Sequence, residues 1–185
     1  TSTSLSLAYS LGQMEKVLLI DADMRRPSIG KVFGISTHDP GLSNLVAGTA
    51  TFEECVHAQE EEGIDVMSAG VIPPNPLELL SSQRFAKALE LLSQHYDRII
   101  VDTAPCQAVS DSLVLSRLVG SMVYVVKSDS TPVPQIKSGL KRLSEVNAPV
   151  MGVVLNQVNL RKATSYYGEG YSGYYDVYGY SDGKG

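Results

Sequence analysis

The sequence predicts an α/β fold that is doubly wound around a mainly parallel β-sheet. Two observations predict it: short, continuously apolar runs rich in β-branched residues recur along the chain, and segments with helical spacing of apolar residues lie between them. Because the runs show no alternation of polar and apolar residues, we expect strands buried on both faces, as in parallel sheets. The predicted strands are residues 17–20, 99–101, 122–126 and 150–155, with a weaker one at 64–67.

Four helices are predicted between these strands, at residues 4–13, 77–95, 110–119 and 134–146. The first is rich in leucine and alanine. The second carries apolar residues at near-helical spacing, namely Leu79, Leu80, Ala86, Leu89 and Leu92. Strands that alternate with helices in this way are typical of a parallel sheet covered by helices.

The C-terminal segment differs in composition from the rest of the chain. Residues 164–185 contain no leucine, isoleucine or phenylalanine, and glycines are interleaved with tyrosines. Such a segment cannot bury enough apolar surface to offset the entropy cost of ordering it. We therefore predict an α/β domain over residues 1–163 and a flexible Tyr-rich tail over residues 164–185. The tail tyrosines are Tyr166, Tyr167, Tyr171, Tyr174, Tyr175, Tyr178 and Tyr180.

Composition excludes several classes of protein. The chain has 185 residues, which is the size of one domain, and its 20 acidic residues against 15 basic ones argue against a nucleic-acid binder held by bulk charge. Two isolated cysteines, Cys55 and Cys106, predict neither a disulfide framework nor a zinc site, and we expect a reducing, cytoplasmic setting. No apolar run is long enough to span a membrane, and we expect no signal peptide.

Acidic side chains follow two of the predicted strands. Asp21 and Asp23 follow the strand at 17–20, and Asp102 follows the strand at 99–101. In open α/β sheets, ligands bind outside the carboxyl ends of the strands, and a carboxylate held there can bind Mg²⁺ directly or through water. Each aspartate taken alone is explained equally well as a helix N-cap or a turn residue. Two such strand ends in one small domain favour a nucleotide site, at which we expect Asp21 and Asp102 to lie close together.

A phosphate-binding loop of the form Gly-x-x-x-x-Gly-Lys-[Ser/Thr] is expected to precede such acids, and the sequence contains none. It begins instead with Thr-Ser-Thr-Ser at residues 1–4, ahead of the first helix. This cluster of hydroxyls is either a helix N-cap or the end of a phosphate-binding loop whose glycines and lysine lie upstream. On the second interpretation we expect the chain to be a fragment of a longer protein.

Several segments resemble the bacterial tyrosine kinases, which are the cytoplasmic domains of Wzc-like and CapB-like exopolysaccharide proteins. Residues 18–27, Leu-Leu-Ile-Asp-Ala-Asp-Met-Arg-Arg-Pro, resemble the family's Walker A′ motif, and residues 99–105, Ile-Ile-Val-Asp-Thr-Ala-Pro, are similar to its Walker B motif. Three further segments also resemble parts of the family, namely residues 41–48, residues 72–80 and the Tyr-rich C-terminus. The family is related to ATPases of the MinD and ParA type, so the resemblance implies a fold of the P-loop NTPase type.

The resemblance implies an ATP- and Mg²⁺-dependent protein-tyrosine kinase that transfers the γ-phosphoryl group of ATP to its own C-terminal tyrosines. Carried over by position, the catalytic residues are Asp21, Asp23 and Asp102, and the metal ligands are Thr1, Asp23 and Asp102. The implied nucleotide-binding residues are Thr1, Ser2, Arg25 and Asn156, of which Asn156 corresponds to a position that contacts adenine in relatives.

Transfer to tyrosine requires a proton acceptor, because the pKa of a tyrosine hydroxyl is near 10. We expect Asp21 to take this role, or Asp23 if the metal occupies Asp21. Arg25 or Arg26 either stabilises charge on the phosphates or forms a structural ion pair. The tail is either the phosphate acceptor, reaching a neighbouring subunit, or a low-complexity adhesive segment.

The resemblance also implies partners and a location. It implies a homo-oligomeric ring, a transmembrane polysaccharide co-polymerase segment on the same or a separate chain, and a cognate tyrosine phosphatase. The location would be the cytoplasmic face of the bacterial inner membrane, where the kinase regulates capsule or exopolysaccharide synthesis and export. Two alternatives remain open: an ATPase of the MinD or ParA type that uses water as acceptor, and a nucleotide-dead scaffold that another kinase phosphorylates.

Overall fold

The structure, a computed structural model, describes residues 1–59 and 63–159. Helices and strands alternate along this part of the chain, as the sequence predicts. The elements are α1 Ser2–Gly12, β1 Val17–Asp21, α2 Ile29–Val32, α3 Leu42–Ala47, α4 Phe52–Cys55, β2 His57–Gln59, β3 Ile64–Met67, α5 Pro76–Leu80, α6 Gln83–Leu92, β4 Arg98–Asp102, α7 Asp111–Leu115, β5 Met122–Lys127, α8 Val133–Glu145 and β6 Val150–Asn156.

Strand β1 lies inside a four-stranded sheet with the order β2-β3-β1-β4. It is parallel to both β3 and β4, and its five residues are all buried. Alternate side chains of a strand point to opposite faces. Leu18 and Ile20 accordingly join the larger apolar core on one face of the sheet, and Val17 and Leu19 join a second core on the other face, with Ala8 of α1. The prediction of a doubly covered parallel strand is confirmed for β1.

Strands β5 and β6 form a separate parallel pair in the described part of the chain. The expectation that these runs are buried on both faces is wrong for β5, where Val123 and Val125 are exposed, and for β6, where residues 151–155 are all exposed. An apolar run shows only that a strand is able to be buried, and burial also requires a covering layer on each face. Within the described residues, β6 pairs with β5 alone.

The predicted helix at 77–95 is two helices, because Ser82 begins a new one. The Ser82 hydroxyl accepts a hydrogen bond from the Phe85 amide, which is the geometry of a helix N-cap. The helix at 110–119 is shorter than predicted and ends at Leu115. Short elements α2, α3, α4 and β2 were not predicted, since three to six residues carry too little periodicity to detect.

Among the helices in the described residues, none combines the length and the apolar character that crossing a bilayer requires.

Candidate active site

Asp21 and Asp102 end two neighbouring strands and lie side by side. Residues 17–21 of β1 pair in register with residues 98–102 of β4, so that Asp21 is directly opposite Asp102. Both side chains are buried, with Asp21 fully inaccessible and Asp102 exposed to 8%. The sequence-based expectation that these strand ends meet is therefore what the structure shows, and the arrangement brings two carboxylates to one edge of the sheet.

The Asp21 carboxylate is held on both oxygens by backbone amides. Its Oδ2 accepts hydrogen bonds from the amides of Ser28 and Ile29, both at 2.9 Å, and its Oδ1 accepts one from Asp23 at 3.1 Å. Burial raises the pKa of Asp21, the Ile29 and Ser28 amides oppose that rise, and the nearby Asp102 charge adds to it. Asp21 thus fixes the turn from β1 into α2.

Asp23 is half-buried and uses one oxygen for local contacts. Its Oδ1 accepts hydrogen bonds from the amides of Arg25 at 3.2 Å and Arg26 at 3.0 Å. Its Oδ2 takes part in neither bond. Asp23 therefore presents an oxygen that is not committed to these amides, which distinguishes it from Asp21.

Hydroxyl groups at the start of α1 contact Asp102. The Thr1 hydroxyl donates to Asp102 Oδ2 and the Ser4 hydroxyl donates to Oδ1, both at 2.7 Å. The Thr1 hydroxyl also lies 2.7 Å from that of Ser28, which links α1 to the turn that Asp21 organises. The predicted ligands Thr1 and Asp102 are thus in direct contact.

Asn156 and Ser2 lie at the same edge of the molecule. The Asn156 side-chain amide donates to the Ser2 hydroxyl at 3.1 Å, and this bond joins the end of β6 to the start of α1. The structure thus brings these two predicted nucleotide-binding residues together beside Thr1, across 154 residues of sequence.

Arg25 contacts a residue that the sequence did not single out. Its Nε and Nη2 donate to the two oxygens of Asp111, at 2.8 and 3.0 Å, and Asp111 is fully inaccessible to solvent. Of the two interpretations of Arg25, the structure shows the ion pair. Arg26 is exposed. Asp111 was missed because a serine and an aspartate at a helix start look like ordinary helix-capping residues.

Thr103 lies within the segment that resembles Walker B, although the sequence alone assigns it no role of its own. Its hydroxyl is buried directly after Asp102 and has no hydrogen-bond partner in the described part of the chain. Buried hydroxyls in folded proteins are normally paired. A partner for this hydroxyl would come from a ligand, from water or from residues outside 1–59 and 63–159.

The donor set at this edge suits Mg²⁺ better than a metal caged by protein alone. No group of three or more histidine, cysteine, aspartate or glutamate side chains within residues 1–59 and 63–159 is arranged to hold a metal. Magnesium usually binds one or two carboxylates and keeps water or phosphate oxygens as its other ligands. Asp102, Asp23 and the Thr1 hydroxyl fit that pattern, and the adjacent Asp21 and Asp102 carboxylates favour a cation nearby.

The predicted phosphate acceptors lie outside the described residues. They are Tyr166, Tyr167, Tyr171, Tyr174, Tyr175, Tyr178 and Tyr180.

Comparison with known proteins gives consistent matches over most of the chain. Residues 1–148 match the family described as AAA domain. The putative tyrosine-protein kinase CapB of Staphylococcus aureus is 36% identical over 152 residues, which are 82% of this chain and 66% of that protein. Other curated relatives named as tyrosine-protein kinases are longer, and the chain spans 22–23% of their length.

Solved structures agree with the sequence matches. The VpsO kinase domain superposes with a TM-score of 0.83 at 46% identity, covering 85% of this chain and 78% of that one. The cobyrinic acid a,c-diamide synthase of Mycobacterium smegmatis, solved with an ATP analogue and magnesium, has a TM-score of 0.69 over 91% and 77% of the two chains. At 15% identity this second likeness shows a shared fold alone.

Proposed function

The chain belongs to the family of bacterial tyrosine-protein kinase domains, and from this premise we propose that the protein is an ATP- and Mg²⁺-dependent protein-tyrosine kinase. Its substrate is its own C-terminal tyrosine cluster. The observation that carries the proposal is the pairing of Asp21 with Asp102 at two adjacent strand ends. Acids at this edge suit phosphoryl transfer, in which catalysis consists mainly of positioning and charge neutralisation.

We assign the direct magnesium ligands to Asp102 and Thr1, with Asp23 contacting the ion only through a bound water, so that its Oδ2 can still accept a proton. The Thr1 hydroxyl donates to Asp102 at 2.7 Å, so a hydroxyl oxygen and a carboxylate lie side by side as candidate ligands. Magnesium bound there would neutralise charge on the phosphate oxygens of ATP. Ser2 and Asn156, which contact each other at the same edge, are placed to contact the nucleotide.

We assign the proton acceptor to Asp23 rather than to Asp21. A general base must lie within hydrogen-bond reach of the hydroxyl it deprotonates. Asp21 is fully inaccessible and its two oxygens accept three backbone amides, whereas Asp23 is half-buried and uses only Oδ1 for amides. Asp21 instead holds the turn that carries Asp23 in its active position.

The tail supplies the acceptor hydroxyls in this proposal. Its glycines allow each tyrosine to enter a site on a neighbouring subunit in an extended conformation. Each phosphate adds about −1.5 to −2 charges at neutral pH. Several phosphates on one tail repel one another, so phosphorylation weakens the homo-oligomer and a cognate tyrosine phosphatase restores it.

The biological setting follows from the family. We propose that the protein acts at the cytoplasmic face of the bacterial inner membrane and regulates the synthesis and export of capsule or exopolysaccharide. Its membrane partner is a polysaccharide co-polymerase segment on the same or a separate chain. Light scattering tests the oligomer directly: we expect the dephosphorylated protein to form larger particles than the phosphorylated one, and equal sizes would contradict the proposal.

One assay tests the activity and separates it from the two alternatives. The intact protein, and a version without residues 164–185, are incubated with Mg·ATP and assayed for phosphotyrosine and for released phosphate. We expect phosphotyrosine in the intact protein and its loss with the tail. Released phosphate without phosphotyrosine would favour an ATPase of the MinD or ParA type. Neither product would favour a scaffold that another kinase modifies.

A further inference from the structure

We propose that Arg25 and Asp111 form a clamp that positions Asp23 for magnesium and for proton transfer. The inference rests on the proposed function, because it assigns a positioning role within the same site. The pair is separate from Asp21, Asp23 and Asp102. It joins the segment that follows β1 to the segment that follows β4.

The geometry of the pair is that of a strong, directional contact. Two nitrogens of the Arg25 guanidinium donate to the two oxygens of Asp111, at 2.8 and 3.0 Å. Such bidentate arginine–carboxylate contacts fix orientation as well as distance. With Nε and Nη2 both engaged, the guanidinium is directed toward α7, and its orientation is set by Asp111.

Burial makes the pair costly to break. Asp111 is fully inaccessible, and the ion pair with Arg25 supplies the positive charge beside it. The Arg25 side chain is 39% exposed, but removing it would leave the buried Asp111 charge uncompensated, which is destabilising. The side chain of Arg25 therefore stays on Asp111, and the conformation of its backbone is restrained accordingly.

That backbone is what holds Asp23. The amides of Arg25 and Arg26 donate to Asp23 Oδ1 at 3.2 and 3.0 Å. A chain of contacts thus runs from Asp111 in α7, through the guanidinium and amide of Arg25, to the Asp23 carboxylate. Since α7 follows β4, the clamp also fixes the loop after β1 relative to the loop after Asp102.

The chain offers a matched control at the other end of the strands, where β4 begins. Arg98 and Glu15 form a second bidentate pair, at 3.0 and 3.1 Å, where β4 begins rather than where it ends. It has the same chemistry and similar distances, but it is solvent-exposed and far along the strand from Asp102. Variants of this pair test whether any lost arginine–carboxylate contact produces the effect.

The test compares R25K and D111N with R98K and E15Q in the intact protein. Arg25→Lys keeps the charge that compensates Asp111, and Asp111→Asn keeps its shape, so both variants are expected to fold. Three quantities are measured: the Mg²⁺ concentration that half-saturates binding of a fluorescent ATP analogue, the rate of phosphotyrosine formation, and hydrogen exchange at the amides of Arg25 and Arg26.

We expect R25K and D111N each to raise the half-saturating Mg²⁺ concentration by about tenfold or more, as loss of contacts behind a metal ligand commonly does. Exchange at both amides should increase, the phosphotyrosine rate should fall in parallel, and the double variant should be no worse than the single ones. R98K and E15Q should leave all three quantities unchanged.

Two results would overturn the clamp. One is a loss of thermal stability in R25K or D111N with an unchanged Mg²⁺ requirement and unchanged amide exchange, which is the signature of a merely structural pair. The other is an equal effect from R98K or E15Q. Failure of the proposed kinase function is read separately, from the absence of phosphotyrosine in the unsubstituted protein.

Discussion

Replacing Asp21 by asparagine should destabilise the protein and replacing Asp23 should not, because the two carboxylates use their oxygens differently. Asp21 accepts amides on both oxygens, so in Asp21→Asn the new NH₂ group must face at least one amide donor. The less costly orientation places it against the Asp23 amide. Asp23 accepts both of its amides on Oδ1 alone, and the carbonyl oxygen of an asparagine can keep both.

The size of the difference follows from these contacts. Losing one hydrogen bond to a charged acceptor costs about 1.5–3 kcal/mol. Part of this is recovered, since burial already raises the pKa of Asp21 and the neutral amide removes a buried charge. We expect Asp21→Asn to lower the free energy of unfolding by about 1–2 kcal/mol, and Asp23→Asn to change it by less than about 0.5 kcal/mol.

Urea unfolding of the two variants measures the difference. With a denaturant dependence of about 2 kcal/mol per molar urea, the midpoint of Asp21→Asn should fall by about 0.5–1 M and that of Asp23→Asn should stay in place. Equal midpoints would refute the reasoning, because they would mean that losing the bond from the Asp23 amide to the Asp21 side chain costs nothing.

Two further predictions concern stability away from the site. Gly41→Ala should destabilise the fold by about 1–3 kcal/mol in urea unfolding, because its Cβ would meet the backbone carbonyl of Ser68; Gly120→Ala, whose Cβ meets nothing within 4 Å, is the control. Tyr96 donates to Asp65 at 2.7 Å, and burial, reinforced by Asp65, raises the pKa of its phenol. The folded state thus binds the phenolic proton more tightly, so stability falls as the pH rises above about 10. In the Tyr96→Phe variant, the loss of stability above about pH 10 should be smaller. A pH dependence equal to that of the unsubstituted protein would contradict this prediction.

The proximity of Asp21 and Asp102 could be predicted from the sequence, because the carboxyl ends of neighbouring parallel strands lie at the same end of a sheet. Acids after two buried strands had to meet if the strands were neighbours, and Asp21 is opposite Asp102. The same logic could not predict what holds each acid. Two of the three amides that bind Asp21 lie seven and eight residues further along, and their direction depends on the turn before α2.

Contacts between segments that are distant in the sequence could not be predicted from it. Asp111 lies 86 residues from Arg25, and no spacing rule connects them. Exposure of β6 was also not predictable, since it depends on which elements cover the strand and not on its own apolar residues. The break between α5 and α6 was detectable in principle, because serine is a common helix N-cap. The Ser82 hydroxyl accepts a hydrogen bond from the amide of Phe85, three residues further along.

The most direct measurement of the central claim is the amount of phosphotyrosine formed by the intact protein and by its Asp23→Asn variant in Mg·ATP. That variant should keep its stability, so a change in activity reports on chemistry rather than folding. We expect clear phosphotyrosine in the unsubstituted protein and a loss of about 100-fold or more in the variant, because a general base contributes about 10²- to 10⁴-fold. Full phosphorylation of the variant would contradict it.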